Sequence, residues 1–153
     1  MATKEQVSAI MAELGPLMEL AAVVEYADVG TWRLDVNDET TVFVELDEDA
    51  AVLTLSSEVA ALPSSTDLDR LYRLLLQCNG HPERTGGLTL GLDSEDVVTQ
   101  SLRLAVAGLD RSGLAETVAG FLQRLDGWRT IVRDFNAAPS AGDPQDTTGY
   151  LRV

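Results

Sequence analysis

The sequence predicts an α+β domain in which helices pack against an antiparallel sheet, in the order helix, three strands, helix, two strands, helix. Three observations support this fold class. Three stretches place apolar residues three or four positions apart, which is the period of a helix with one buried face. The stretches between them alternate apolar and polar residues, which is the period of a half-buried strand. With 153 residues, 45% of them hydrophobic, the chain can bury a core without a disulfide or a metal ion.

The first helix is predicted over residues 4–22. Its apolar residues fall on one helical face, and they are Val7, Ile10, Met11, Leu14, Leu17, Met18 and Ala21. Pro16 follows Gly15 within this segment, and proline lacks the backbone N–H that a helix interior requires. We therefore expect a kink or a break at Gly15 and Pro16, and we interpret residues 23–30 as the connection to the sheet.

Three antiparallel strands are predicted next, over residues 31–36, 41–46 and 51–57. Polar turns at residues 37–39 and 47–49 separate them, and turns this short join antiparallel neighbours. The residues expected on the buried face are Trp32, Leu34, Val36, Val42, Val44, Leu46, Leu53 and Leu55.

The second helix is expected to begin after a cap at Thr66 and to end at Gly80. Apolar residues cover most of its circumference, and they are Leu68, Leu71, Tyr72, Leu74, Leu75, Leu76 and Cys78. A helix of this kind requires burial on two sides. We expect the sheet of the same chain to cover one side and a second copy of the protein to cover the other.

Residues 88–92 and 97–104 are predicted as the last two strands, and a third helix is predicted after a cap at Asp110. Its apolar stripe runs from Leu114 to Val132. The residues expected on its outer face are Glu116, Gln123, Arg124 and Arg129.

The composition changes near the end of the chain, where residues become small, polar and rich in proline and glycine. Such a composition does not support a packed core. We therefore divide the chain into a domain at residues 1–133 and a disordered tail at residues 134–153.

The net charge is −14 and is unevenly distributed. Residues 1–66 hold 13 acidic residues against 2 basic ones, whereas residues 67–153 hold 12 against 9. This balance argues against binding to nucleic acid or to an anionic membrane, because both need clustered Lys and Arg. A single cysteine and the lack of a signal-peptide or membrane-span pattern predict a cytoplasmic protein.

No arrangement of residues predicts an active site. One histidine, His81, and one cysteine, Cys78, are too few for a zinc cluster, and a nucleophile pair made of them has no third group to orient it. The segment GGLTLG at residues 86–91 lacks the Lys-Ser/Thr of a P-loop. Gly86 and Gly87 are instead expected to form a turn before a strand. We expect no enzyme activity, no metal ion and no cofactor.

Apolar surface beyond the needs of the core predicts a binding protein. Phe43 points away from the predicted buried face, and Val52 does the same on the next strand. Together with the nearby Trp32, they offer an edge to an extended peptide. The first helix also has more apolar residues than a small sheet requires. Strand addition and contact between a helix and a groove are the expected binding modes.

Four segments resemble the class I type III secretion chaperones of the Tir-chaperone type. They are residues 71–76, RTGGLTLGLD at 84–93, LRLAVAGLD at 102–110 and FLQRLDGWR at 121–129. The combination of GGLTLGLD, AGLD and WR at these separations is the specific part, and the resemblance covers roughly residues 4–133. The family is small and acidic, with the same order of helices and strands.

The resemblance implies a cytoplasmic bacterial homodimer, formed largely through the second helix and the strand after it. The dimer residues are then Leu68, Leu71, Leu75, Leu88 and Leu90. It also implies that the dimer binds the N-terminal segment of a secreted effector in extended form and keeps it soluble and secretion-competent. The implied effector-binding residues are Val7, Ile10, Leu14, Trp32, Val42, Phe43 and Leu46. The secretion ATPase is a further candidate partner.

Two alternatives to the effector chaperone stay open. One is a regulatory interaction protein of the same fold that sequesters a control factor of the secretion system. The other is an unrelated enzyme that uses His81 and Cys78.

Overall fold

The structure, a computed structural model, describes residues 3–64 and 67–137, except for the side chains of residues 136 and 137. Its helices are α1 (Lys4–Met18), α2 (Leu68–Asn79), α3 (Pro82–Thr85) and α4 (Arg111–Ala137). Its strands are β1 (Ala22–Tyr26), β2 (Thr31–Asn37), β3 (Thr40–Asp47), β4 (Val52–Ala61), β5 (Leu88–Leu92) and β6 (Val97–Ala105). They form one sheet in the order β1-β2-β3-β4-β6-β5, so β1 and β5 are its edge strands. The predicted α+β class is confirmed.

The first strand, β1, corrects the predicted order of elements. Residues 22–26, which we interpreted as a connection, pair antiparallel with β2, and Val24 lies opposite Arg33. Four strands rather than three therefore precede α2. The strand had a local signal, because β-branched and aromatic residues such as Val23, Val24 and Tyr26 favour strands.

The first helix, α1, begins at a capping box and continues through Pro16. The Thr3 side chain accepts a hydrogen bond from the Gln6 N–H, and the Gln6 side chain accepts one from the Thr3 N–H at 2.9 Å. The break expected at Pro16 does not occur. Pro16 lies in the last turn, and only Leu17 and Met18 follow it in α1, so the helix ends before a break at the proline could show. The helix ends before Glu19, which is left-handed with a φ of 54°.

The alternation of side chains along β2 and β3 gives one buried face, as predicted. Trp32 lies opposite Val44 on this face, and both are buried. Phe43 lies opposite Arg33 on the other face, where 44% of Phe43 is exposed.

The chain divides into two compact units, each with its own core. One ends at Ser57 and resumes for residues 101–122, and the other holds residues 58–100 and the chain from Gln123 onward. The largest buried residues of the first core are Met11, Leu14, Trp32, Leu34, Leu53, Leu55, Leu114 and Phe121. Those of the second are Leu71, Leu74, Leu75, Leu88, Leu90, Leu125, Trp128 and Ile131.

In the second unit, α2 packs against β5 and ends with Gly80 in the C-cap position, as predicted. The cap predicted at Thr66 lies outside the described residues. The short helix α3 follows, and then Gly86 and Gly87 have φ values of 66° and 83°. These are left-handed conformations that glycine adopts at no steric cost, so the turn predicted before β5 is confirmed.

The last helix, α4, begins at the predicted cap, where the Asp110 Oδ1 accepts a hydrogen bond from the Gly113 N–H at 2.8 Å. Arg129 was expected on the outer face, and this was wrong. It is half-buried, and its Nε donates to the Val59 carbonyl at 3.1 Å. The helix extends to Ala137, beyond the predicted domain boundary, and residues 138–153 of the predicted tail lie outside the described residues. Within the described ranges, no helix is long and apolar enough to cross a membrane.

Candidate partner-binding groove

A groove of about 530 Å³ lies between α1 and the strands β1 and β2 in the first unit. Its lining residues are Ser8, Met11, Ala12, Gly15, Pro16, Glu19, Leu20, Val23, Glu25 and Trp32. Apolar side chains make up most of this lining, and carboxylates lie among them. The groove therefore offers space to an apolar side chain next to acceptors for a positive charge.

Small residues on α1 allow the groove to form. A Cβ added to Gly15 would lie 3.2 Å from the Val23 Cγ2, so the absence of a side chain allows α1 to approach β1 closely. Met11 and Trp32 are buried, whereas Ala12 and Pro16 are exposed and short. Buried apolar side chains thus form the floor of the groove, and exposed short residues lie at its opening toward solvent.

The hydrogen bonds of β2 show which of its residues direct their backbone N–H and C=O groups toward β1 and which toward β3. In an antiparallel pair, successive residues direct their N–H and C=O groups alternately toward and away from the partner strand. The Leu46 N–H donates to the Gly30 carbonyl at 2.9 Å. The Gly30 carbonyl therefore points to β3, and by alternation the N–H and C=O groups of Trp32 also point to β3. Those of Arg33 point to β1.

The same alternation identifies the open backbone groups of β1. Val24 lies opposite Arg33 and turns its N–H and C=O toward β2. Val23 and Glu25 therefore turn theirs away from the sheet, at an edge that has no neighbouring strand among the described residues. Both residues also line the groove, so the apolar space and the open backbone groups occur side by side.

Of the two carboxylates that line the groove, that of Glu25 is held in place from α1. The Ser8 Oγ donates a hydrogen bond to the Glu25 Oε1 at 2.6 Å, and this bond joins α1 to the edge strand. Glu19 lies at the C-terminal end of α1 and is exposed. The two carboxylates make the surroundings of the apolar lining negative, which favours a partner with Lys or Arg beside its apolar residues.

The predicted effector-binding residues are found in three places. Trp32 lines the groove. Ile10 and Leu46 are half-buried, and Phe43 is exposed on the opposite face of the sheet. The remaining three are buried in the core, and they are Val7, Leu14 and Val42. The role of these seven residues in effector binding stays a prediction.

Sequence reasoning missed most of the groove, notably Val23 and Leu20. Leu20 falls in the segment predicted as the first helix, and Val23 in the segment that we interpreted as a connection, so no strand face was assigned to Val23. The β-branched pair Val23 and Val24 was the available signal. The length of the segment concealed it, because a strand of five residues shows little periodicity.

A second candidate surface lies on α2 in the second unit. Leu76 is 70% exposed, and Leu68 and Tyr72, which precede it at intervals of four residues, are half-buried. Residues four apart lie on one helical face, so these three form an apolar stripe, the α2 stripe. The other predicted dimer residues are buried within the subunit, and they are Leu71, Leu75, Leu88 and Leu90.

Cys78 and His81 do not form a nucleophile pair in the structure. The Cys78 side chain is buried, and burial raises the pKa of its thiol, whereas an activated cysteine needs a lowered pKa. His81 is exposed, and its Nδ1 lies 3.2 Å from the Glu83 Oε1. Among the residues that the structure describes, no three His, Cys, Asp or Glu side chains are grouped as a metal site would require.

The model of the Tir chaperone protein (CesT) family matches residues 10–129. This match spans most of the chain and both of its compact units, so the chain belongs to that family. The resemblance seen in the sequence is confirmed. The family and the fold are those of type III secretion chaperones and not of enzymes.

A relative with a similar sequence is the protein CPj0713/CpB0740 of Chlamydia pneumoniae. It is 31% identical over 88 residues, which make up 58% of this chain and 67% of that protein.

Solved structures with the same fold include chains from chaperone complexes. A chain of the HopA1–SchA chaperone–effector complex is 20% identical, with a TM-score of 0.64 over 81% of this chain and 93% of that one. A chain of the ExsC–ExsE complex is 20% identical, with a TM-score of 0.73 over 93% and 100%. A chain of the Yersinia pestis chaperone SycH bound to a YscM2 fragment is 16% identical, with a TM-score of 0.60 over 78% and 96%. At these identities the likeness shows the fold.

Proposed function

We propose that this protein is a cytoplasmic type III secretion chaperone that binds the N-terminal segment of a secreted effector in extended form and keeps it soluble and secretion-competent. The observation that carries the proposal is the coincidence of the apolar groove with the open edge of β1. An extended chain that pairs with β1 satisfies its own backbone groups and can place alternate side chains in the groove.

The contacts of such a segment begin at Val23 and Glu25, whose N–H and C=O groups face the edge. Each apolar side chain fully buried in the groove contributes about 1.5 to 3 kcal/mol. Ordering a disordered segment costs roughly 2 to 5 kcal/mol of this gross gain. Several anchors are therefore needed, and a segment that wraps the protein supplies them more readily than a single short motif.

The charge of the chain also constrains the partner. Glu19 and Glu25 line the groove, and residues 1–66 carry most of the net charge of −14. A segment with Lys or Arg near its apolar anchors matches this surface, whereas an acidic segment is repelled. The expected partner is therefore both apolar and basic in its binding segment.

The α2 stripe supports the further proposal that the protein is a homodimer. Leu76 is exposed and reaches a second copy without unfolding of the subunit, while the buried leucines of the predicted set support α2 from within. In a two-fold symmetric dimer the same stripe on both copies comes together. The secretion ATPase stays a candidate partner for the loaded dimer, and no residue is assigned to that contact.

A charge substitution in the groove tests the proposed function. Val23→Glu places a carboxylate among the apolar lining residues, beside Glu25, and should weaken binding of the effector segment by about tenfold or more, because a buried unpaired charge is costly. Val29→Glu is the matched control, since Val29 is 70% exposed and does not line the groove.

The measurement is isothermal titration with the N-terminal segment of the secreted protein that co-purifies with this chain and is identified by mass spectrometry. Val29→Glu should bind like the unmodified protein. Equal affinity for Val23→Glu, with a near-ultraviolet circular dichroism spectrum that shows intact packing, would remove the groove from the proposal.

A control factor of the secretion system is the alternative cargo, and it fits the same groove and edge. Deletion of the gene for this chain distinguishes the two. Loss of one effector from the culture supernatant supports the effector chaperone. A change in the transcription of secretion genes, with effector export intact, supports the regulatory alternative.

A further inference from the structure

The other edge of the sheet has an unusual partner, the side chain of Asn79. Its Nδ2 donates to the Leu90 carbonyl at 2.7 Å, and its Oδ1 accepts from the Leu90 N–H at 2.8 Å. Asn79 is the last residue of α2, and Leu90 is the central residue of β5. One amide side chain therefore bonds both backbone groups of a single strand residue.

This pair of hydrogen bonds repeats the pattern of a neighbouring strand. In an antiparallel ladder, a residue of the hydrogen-bonded type exchanges one N–H and one C=O with the residue opposite. The primary amide of Asn79 presents the same donor and acceptor side by side. Since Leu90 directs these groups to Asn79, they face away from β6, at the free edge of β5.

The position of Leu90 matters because β5 is short. It holds five residues, and alternation directs the backbone groups of Leu88, Leu90 and Leu92 to the edge. With the central residue occupied, the two others are separated by a blocked position. An incoming strand cannot pair with two successive edge residues.

We propose that Asn79 acts as a substitute strand that closes the β5 edge, so that a partner strand pairs with β1 and not with β5. The proposal rests on the proposed function for the statement that β1 receives a strand. The closing of β5 rests on the Asn79 geometry and is independent of the proposed function. Open edges of apolar strands are templates for unwanted pairing, and β5 contributes three leucines to such an edge.

The edge strand β1 differs in this respect. Among the described residues, no side chain bonds the outward N–H or C=O of Val23 or Glu25 as Asn79 bonds those of Leu90. Contact with α1 involves the side chains instead, through the Ser8 Oγ and the Glu25 carboxylate. The two edges of the sheet are thus chemically distinct. On β5, the Asn79 amide bonds both outward groups of Leu90, and the Thr85 Oγ1 donates to the Leu88 carbonyl at 3.5 Å.

Amide hydrogen exchange of the free protein tests the closing of β5. Asn79→Ala should make the Leu90 amide exchange about fivefold to tenfold faster, as the loss of one ordinary hydrogen bond implies. Asn79→Asp keeps an acceptor for the Leu90 N–H, so its Leu90 exchange should stay closer to that of the unmodified protein. Gln77→Ala, on the exposed face of the same helix, is the control. Unchanged exchange at Leu90 in Asn79→Ala overturns the proposal.

Sedimentation velocity tests the consequence. In a Leu76→Glu background, which disrupts the α2 stripe, adding Asn79→Ala should produce association that grows with protein concentration, because the β5 edge is then open to itself. Faster exchange at Leu90 without added association would show that something other than Asn79 closes the edge and would overturn the proposal. Neither readout depends on an effector, so failure of the groove at Val23 is recognised separately.

Discussion

Gly86 and Gly127 occupy opposite situations in the second unit, although they are the same residue. Gly86 is left-handed with a φ of 66°, and the guanidinium of Arg124 occupies the space that a Cβ would need. Gly127 lies within α4, and a Cβ added there would meet nothing within 4 Å. The left-handed backbone requires glycine at position 86, whereas Gly127 weakens a helix.

Substitution by alanine should therefore have opposite effects at the two positions. Gly86→Ala should lower the free energy of unfolding by about 1 to 2 kcal/mol, because an L-residue is strained at this φ. Gly127→Ala should raise it by about 0.5 to 1 kcal/mol through helix propensity. Urea unfolding followed by the fluorescence of Trp128, in a Trp32→Phe background, measures both changes. A Gly86→Ala protein as stable as its parent would contradict the role given to Gly86 in the turn.

Single residues also show where sequence reasoning stops. The pattern of α2 correctly indicates that Leu71 and Leu75 are covered, yet it does not say by what. The structure buries them inside the subunit and exposes Leu76, which the pattern treats as one more apolar position. A helical period distinguishes faces of a helix, but which face meets the same chain depends on contacts distant in the sequence.

Whole elements were predictable where their periodicity is long. The strands β2, β3, β5 and β6 lie within about two residues of their predicted bounds, and α4 begins after its predicted cap. The strand β1 was not predicted, since it is short and only three residues separate it from α1. The groove was therefore not predicted either, because it forms where α1 packs against β1.

The exposed stripe of α2 predicts the oligomeric state of the protein. If the α2 stripe joins two copies, the unmodified protein should have about twice the mass of 16.5 kDa in light scattering, and Leu76→Glu should shift it toward the monomer. Leu17→Glu is the control, because Leu17 is 53% exposed on α1 and does not line the groove. A monomer of the unmodified protein at micromolar concentration, or a Leu76→Glu dimer of unchanged stability, would exclude this interface.

The net charge of the molecule predicts how the rate of association with the partner depends on salt. A net charge of −14 attracts a basic segment over distances that salt shortens, from a Debye length of about 10 Å at 0.1 M to about 3 Å at 1 M. The association rate should therefore fall on the order of tenfold between these salt concentrations, with a smaller change in the dissociation rate. Stopped-flow fluorescence measures both rates. An association rate independent of salt would show that charge does not select the partner.

The most direct measurement is amide hydrogen exchange of this protein with and without the bound effector segment. We expect slower exchange in the complex at Val23 and Glu25, whose N–H groups face the open edge of β1, and unchanged exchange at Leu90, which Asn79 already bonds. Protection at Leu90 or elsewhere on β5, with none at Val23 and Glu25, would place the effector on the other edge of the sheet and contradict the central claim.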